Sequence, residues 1–295
     1  MSTAKIVGKL VYATVMTAVR CGFALGSRVV PQQAAIKAEA LFTTPQGTRS
    51  RQFRDLPPPQ QTSIPSAYGE LCCYEWPGSG AKRALLVHGW SGSPVQFRAL
   101  IATLLKQGYG VVCYDQPAHG RSHGKRASLP DFMTGLHAVF SHYPYFDLAL
   151  AHSLGGTALA RFLADSTGTS PVGKVVLAAA PADIEDVTRR FAAMLWLTEP
   201  VRGRMQQQIE QRYAQPMTEF AAGKYAKRIK VPVMIAHDKY DREVPFQDAA
   251  ILHRAIEQSH LLEVDAGGHQ KFLKQEQFLD SVMTFANSTA GRSGQ

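Results

Sequence analysis

Short apolar runs alternate with amphipathic stretches along most of this 295-residue chain. The runs at 84–87, 110–114, 147–151, 174–178, 231–236 and 260–264 are four to six residues long and rich in Val, Leu and Ile. They are too short for buried helices and read as buried strands. Between them, 94–107, 130–141, 157–164, 246–257 and 275–287 carry helix-compatible spacing. Strands and helices taking turns predict an α/β architecture, a mainly parallel sheet with helices on both faces. Two more strands are predicted at 48–53 and 68–75, on either side of the stiff connector Leu56-Pro57-Pro58-Pro59-Gln60-Gln61. The alternation stops over 183–230, which is rich in Arg, Gln, Met and aromatics and predicts a helical insertion above the sheet. The division expected is 1–60 as an N-terminal helical extension and connector, 61–182 with 231–290 as the core, and 183–230 as the insertion. Residues 288–295 are small and polar and read as a frayed tail.

The N-terminal stretch 5–30 has its own pattern. Val7, Val11, Val15 and Val19 recur every four residues beside Leu10 and Ala18, with Lys5, Lys9 and Arg20 on the other side. That is an amphipathic helix. Its longest charge-free run, 10–19, is far below the ~20 residues a spanning helix needs. A helix packed on the domain surface is the favoured reading, and an in-plane membrane contact through residues 5–30 is second. Ala24-Leu25-Gly26 has the small-X-small form of a signal cleavage site, but Arg20 interrupts the apolar run before it.

Composition narrows the classes. With 45% hydrophobic residues the chain can bury a large core, and global disorder is excluded. Its net charge of +9 comes from 32 basic and 23 acidic residues, spread without an aromatic-interleaved basic stripe. No nucleic-acid partner is expected. Cys21, Cys72, Cys73 and Cys113 lack metal-ligand spacing and a disulfide pattern, so a reducing, cytoplasmic setting is the expectation. His119 and His123 share a metal-like spacing without a carboxylate partner, and no metal site is expected.

The chemistry centres on Ser153. The strand at 147–151 runs into Ala151-His152-Ser153-Leu154-Gly155-Gly156, followed at once by a helix. A strand–sharp turn–helix junction pushes such a serine onto an exposed, strained corner where it can act as a nucleophile. Ala151 stands where glycine is usual. After the strand at 231–236 comes Asp241-Arg242-Glu243-Val244-Pro245, and after the last strand comes Gly267-Gly268-His269. Serine, acid and histidine each follow a parallel strand, at the sheet edge where open α/β folds build their sites.

With Val87-His88-Gly89-Trp90-Ser91-Gly92 and Asp115-Gln116-Pro117-Ala118-His119-Gly120-Arg121-Ser122, these motifs resemble those of α/β-hydrolase-fold serine hydrolases of the carboxylesterase and lipase kind. The resemblance covers roughly 65–287. It implies the α/β-hydrolase fold with a helical cap or lid at 183–230. It also implies a triad of Ser153, Asp241 and His269, and an oxyanion site at the backbone N–H groups of Trp90 and Leu154. Trp90, His152 and Trp196 are expected at the substrate pocket. Asp183, Glu185 and Asp186 stand on the loop that supplies the acid in some such enzymes. The implied reaction is cofactor-free hydrolysis of a small carboxylic ester with an apolar acyl group, through an acyl-enzyme. The same triad serves thioesters, carbon–carbon bonds and perhydrolysis. A membrane-associated lipase and a non-catalytic ligand-binding protein are the other readings carried. The sequence says nothing of oligomeric state.

Overall fold

In the computed structural model, residues 3–46 and 52–288 are described, with the backbone alone for 3–10 and 12. Eight strands form one sheet: β1 (Gln60–Ser66), β2 (Gly69–Trp76), β3 (Arg83–Val87), β4 (Gly110–Tyr114), β5 (Phe146–His152), β6 (Val172–Ala178), β7 (Val233–Asp238) and β8 (Ser259–Val264). Their order across the sheet is β1-β2-β4-β3-β5-β6-β7-β8. β1 and β2 pair antiparallel, β2 meets β4 antiparallel, and every other pairing is parallel. All residues of β4 and β7 are buried, as strands covered on both faces must be. The helices of the core are α3 (Arg98–Lys106), α4 (Leu129–His142), α5 (Leu154–Asp165), α8 (Ala222–Tyr225), α9 (Phe246–Ala255) and α10 (Glu276–Asn287).

Strand order reverses about β3, which lies between β4 and β5. Ligand sites in open α/β sheets form at such a reversal, beyond the carboxyl ends of the strands. One side of the sheet is sealed by a cluster that includes Trp76, Leu86, Phe97, Leu104, Val176 and Phe278. Lys174, buried on β6, donates through Nζ to the carbonyls of Phe285, at 2.7 Å, and Ser288. It thereby caps the end of α10, where unpaired carbonyls gather.

The predicted strands of the alternating region are all present, but the first one is displaced. β1 begins at Gln60, inside the stretch read as connector, whereas the predicted strand at 48–53 is not seen at 52–53, and 48–51 lie outside the described residues. Only Ile64 is buried along β1, an edge strand bonded to β2 alone, so it lacks an apolar signature.

The chain divides into two compact units, and this redraws the expected boundaries. One is the sheet unit. The other joins the described residues of 1–43 to 183–219, while 220–230 belongs with the sheet unit. The helical unit contains α1 (Thr3–Val29), α2 (Pro31–Thr43), α6 (Ile184–Leu195) and α7 (Glu199–Tyr213). The N-terminal segment is therefore two helices folded with the insertion rather than a separate extension. Ala34 and Ala35 of α2 pack against Val201, with Leu197 beside them. Phe42 meets Phe191 edge-on at 5.0 Å, and Arg212 reaches buried Glu39 at 2.8 Å. Arg202, 9% exposed, is held by Glu199, Thr188 and Gln206, which ties α6 to α7. Such satisfaction is what a buried guanidinium requires.

Candidate active site

β5 ends at His152, α5 starts at Leu154, and Ser153 between them has φ 54° and ψ −129°. This backbone is disfavoured for any residue with a Cβ. It persists because the neighbours fix it: Ser153 N–H donates to Ala178 at 2.8 Å, and its carbonyl accepts from Gly156 at the same distance. A Cβ on Gly155 would stand 2.5 Å from the His88 oxygen, and one on Gly156 would stand 2.7 Å from Ala180 Cβ. Those clashes are why small residues follow the serine. Ala151 fits within β5, fully buried. Ser91, Ala118 and Ala179 also have positive φ just beyond β3, β4 and β6. Four neighbouring strands thus end in strained residues at one sheet edge, the place where such strain accompanies function.

Asp241 and His269 come together there. Oδ2 of Asp241 lies 2.6 Å from Nδ1 of His269, and both residues are buried. The other carboxylate oxygen accepts from the N–H groups of Glu243, at 2.8 Å, and Val244, at 3.0 Å. His237 approaches Oδ2 at 3.5 Å and donates to the Val244 carbonyl at 2.9 Å. Burial alone would raise the Asp241 carboxyl, but hydrogen bonds from His237 and His269 outweigh it and hold the group well below the usual carboxylate range. A charged acceptor fixed in this way sets one tautomer of His269, with the proton on Nδ1 and Nε2 free as a base.

His152 links this pair to the serine. Its Nε2 donates to the backbone carbonyl of His269 at 3.0 Å, and the two rings lie 4.6 Å apart. Burial, then the nearby His269, lowers the His152 pKa to about 3, so the ring stays neutral. Sequence reasoning put His152 at the substrate pocket. At 1% exposed it instead supports the His269 loop from beneath. Asp238 closes the other side: one oxygen accepts from Tyr240 N–H and the other from Ala266 N–H, both at 2.7 Å. It therefore joins the loop bearing Asp241 to the loop bearing His269.

Leu154 is the first residue of α5, so its N–H has no partner within the helix. Gly89 lets the turn after β3 approach it, since a Cβ there would lie 2.7 Å from Ser153 Cβ and 3.4 Å from Leu154 N. In that turn the N–H of Ser91 is taken by His119 Nε2 and that of Gly92 by the Gly89 carbonyl. Among the described residues the N–H of Trp90 between them meets no acceptor. Trp90 itself lies edge-on to His119 at 5.3 Å and stacks on Phe132 at 6.3 Å.

The remaining polar groups are committed to structure. His88 donates to the Gly89 carbonyl and accepts from Gln116 N–H, while His119 donates to the Pro117 carbonyl. Both ring nitrogens of His119 are thus used. Asp115 accepts from Tyr74 and from Arg121 N–H, fixing the loop after β4. Asp183, the alternative acid, caps α6 by accepting from Glu185 N–H at 2.8 Å. Trp196 ends α6 in a left-handed conformation under the guanidinium of Arg20, at 5.7 Å. Among the described residues no group of three or more His, Cys, Asp or Glu could hold a metal ion. Asp238, three residues before Asp241 and standing where such enzymes often have glycine, is expected from the sequence to support the acid. His237 is not singled out there; its signal is position, at the end of the strand just before Asp241.

A family model described as alpha/beta hydrolase fold matches residues 85–200. The AB hydrolase superfamily protein YisY of Bacillus subtilis (strain 168) is 26% identical over 246 residues, 69% of this chain and 91% of that protein. A non-heme haloperoxidase of Rhodococcus erythropolis is 32% identical over 111 residues, 37% of this chain and 39% of that protein. Among solved structures, the esterase EaEST from Exiguobacterium antarcticum superposes with a TM-score of 0.60 at 21% identity, covering 78% of this chain and 100% of that one. The Pyrococcus furiosus esterase Pf2001 gives 0.65 at 20%, covering 82% and 97%. The chain has the α/β-hydrolase fold, and these relatives support a hydrolase enzyme built on it.

Proposed function

We propose that the chain is a serine hydrolase that cleaves small carboxylic esters through an acyl-enzyme. Ser153 attacks the ester carbonyl while His269 Nε2 takes its proton. Asp241 holds the imidazole and stabilises the positive charge it gains. The tetrahedral oxyanion is met by the N–H groups of Trp90 and Leu154. His269 then protonates the leaving alcohol, and water, activated by the same base, releases the acid. No step calls for a cofactor. The observation that carries this reading is the short bond from His269 to buried Asp241, across His152 from a serine held at positive φ. Trp90, stacked on Phe132, offers an apolar wall for a short or medium acyl group. Trp196 enters the pocket proposal through its place in the sequence alone.

A fluorophosphonate probe tests the nucleophile: native protein should be labelled, and Ser153→Ala should not. Label on the alanine variant would overturn the assignment. A rate panel of p-nitrophenyl esters of graded length beside matching thioesters then fixes bond type and acyl size. A second reading, perhydrolysis, is favoured by the similarity to a non-heme haloperoxidase. There hydrogen peroxide replaces water in attacking the acyl-enzyme and releases a peracid. Peroxide-dependent bromination of a reporter in the presence of a short carboxylic acid, lost in Ser153→Ala, would establish it.

A further inference from the structure

α1 has a face that its own unit leaves uncovered. Val11, Val15, Ala18, Gly22, Leu25 and Val29 are spaced four and three residues apart in turn, and all are exposed. At 3.6 residues per turn they form one narrow stripe along the helix. Val11 is 57%, Leu25 65% and Val29 67% exposed, values unusual for aliphatic side chains set in a row. Beside the stripe a groove of about 350 Å³ opens between α1 and α2, lined by Val19, Phe23, Val30 and Ala34 and bordered by Lys37. The sequence expectation that this face packs on the domain surface is thus reversed at Val11 and Val15.

The charges select the partner. Before Glu39 the chain contains Lys5, Lys9, Arg20, Arg28 and Lys37 and no acidic residue. Of these, Arg28 and Lys37 border the stripe and its groove, so a second copy would meet this face with like charge, whereas an anionic surface would be attracted. The helix is not long and apolar enough to cross a membrane. An exposed apolar stripe bordered by basic and no acidic side chains of its own helix pair is the pattern of a helix lying in the plane of a lipid interface. Arg28 stands about 100° round the helix from the stripe, where headgroups would meet it. We propose that α1 docks along an anionic lipid bilayer, with Val11, Val15, Leu25 and Val29 at the acyl boundary and Arg28 and Lys37 at the phosphates. This surface is independent of the hydrolase reading and stands or falls without it.

The test is co-sedimentation of the full chain with vesicles of phosphatidylcholine alone or with about 30% phosphatidylglycerol. Native protein should pellet only with the anionic vesicles and be released by about 0.5 M salt. The exposed-site variant V15E/L25E and the charge variant R28E/K37E should each weaken partition about tenfold or more, with unchanged circular dichroism. The second variant keeps the test decisive if the first misfolds. Native protein left in the supernatant, or both variants pelleting like native, would overturn the proposal. So would a native dimer in light scattering that V15E/L25E abolishes, because the stripe would then join two copies.

Discussion

The imidazole of His152 donates to the backbone carbonyl of His269 at 3.0 Å, so the residue before the serine holds the residue proposed as its base. Its Nδ1 is buried without a hydrogen-bond partner, which leaves the bond to His269 as the ring's one polar anchor among the described residues. Because His152 sets position rather than touching substrate, its loss should lower kcat more than it changes KM. His152→Phe keeps a ring but no donor and should reduce kcat about 10- to 100-fold, the scale of a small misplacement of a catalytic group. His152→Asn retains a donor and should recover part of that loss. Steady-state kinetics on a p-nitrophenyl ester, with circular dichroism to check folding, separates positioning from a merely structural role. Equal kcat in all three proteins would remove it.

The two candidate acids have different neighbours, and so should have different mutant phenotypes. Asp241→Asn removes the charge beside His269 and allows the wrong tautomer, for which a loss of about 10⁴ in kcat is expected. Asp183→Ala deletes a helix cap and should cost about 1 kcal/mol of stability while leaving kcat near native. Thermal melts and initial rates on the two proteins give both readouts.

How much of this was legible in the chain depends on whether the interaction is local. Asp241 bonds to N–H groups two and three residues away, so its loop is written in one short motif. The turn at Ser153 is likewise local, because Gly155 and Gly156 record the clashes a Cβ would cause. The support from His152 joins positions 117 residues apart, and neither flanking sequence carries a trace of it. α2 went unread because its apolar face is mostly alanine, which gives weak periodicity until Val201 of α7 packs on it. β1 failed for the same reason, with one buried side chain and Pro65 within it. The exposed stripe of α1 shows the converse. The spacing from Val11 onward marks an apolar face, but spacing alone does not say whether a neighbour covers it, and the side chains of Val7 and Leu10 lie outside the described residues.

Gly89 is the residue where the proposed oxyanion site is most open to attack by mutation. A methyl group there would be 2.7 Å from Ser153 Cβ and 2.8 Å from the His152 carbonyl oxygen, both far inside contact distance. Neither neighbour is a flexible tip, so the turn carrying Trp90 must move away. Gly89→Ala should cut kcat about 10²-fold, the loss typical of one misplaced oxyanion donor, and leave fluorophosphonate labelling slowed but present. Intact-mass measurement of the labelling rate beside ester turnover checks both halves.

Buried neutral histidines predict a steep acid limb in stability. Burial lowers His119 to about 4, burial with His269 nearby lowers His152 to about 3, and burial with His119 nearby lowers His88 well below its usual value. In the unfolded chain each would titrate near 6.5. Between those values the unfolded state binds more protons than the folded one, so stability rises with pH there. It is therefore fully present above about 6.5 and is lost as pH falls toward 4, at up to about 1.4 kcal/mol per pH unit for each histidine. Asp241 acts in the same direction at lower pH, since its depressed pKa adds stability that disappears only below the ordinary carboxylate range. Urea midpoints measured from pH 7.5 to 4.5 should fall continuously and steepen below 6.5. A replacement such as His119→Gln, whose amide offers a donor and an acceptor but cannot titrate, should flatten the curve by roughly the share of one histidine in three. A midpoint that stays constant down to pH 5 would mean that these rings are not held neutral in the folded protein.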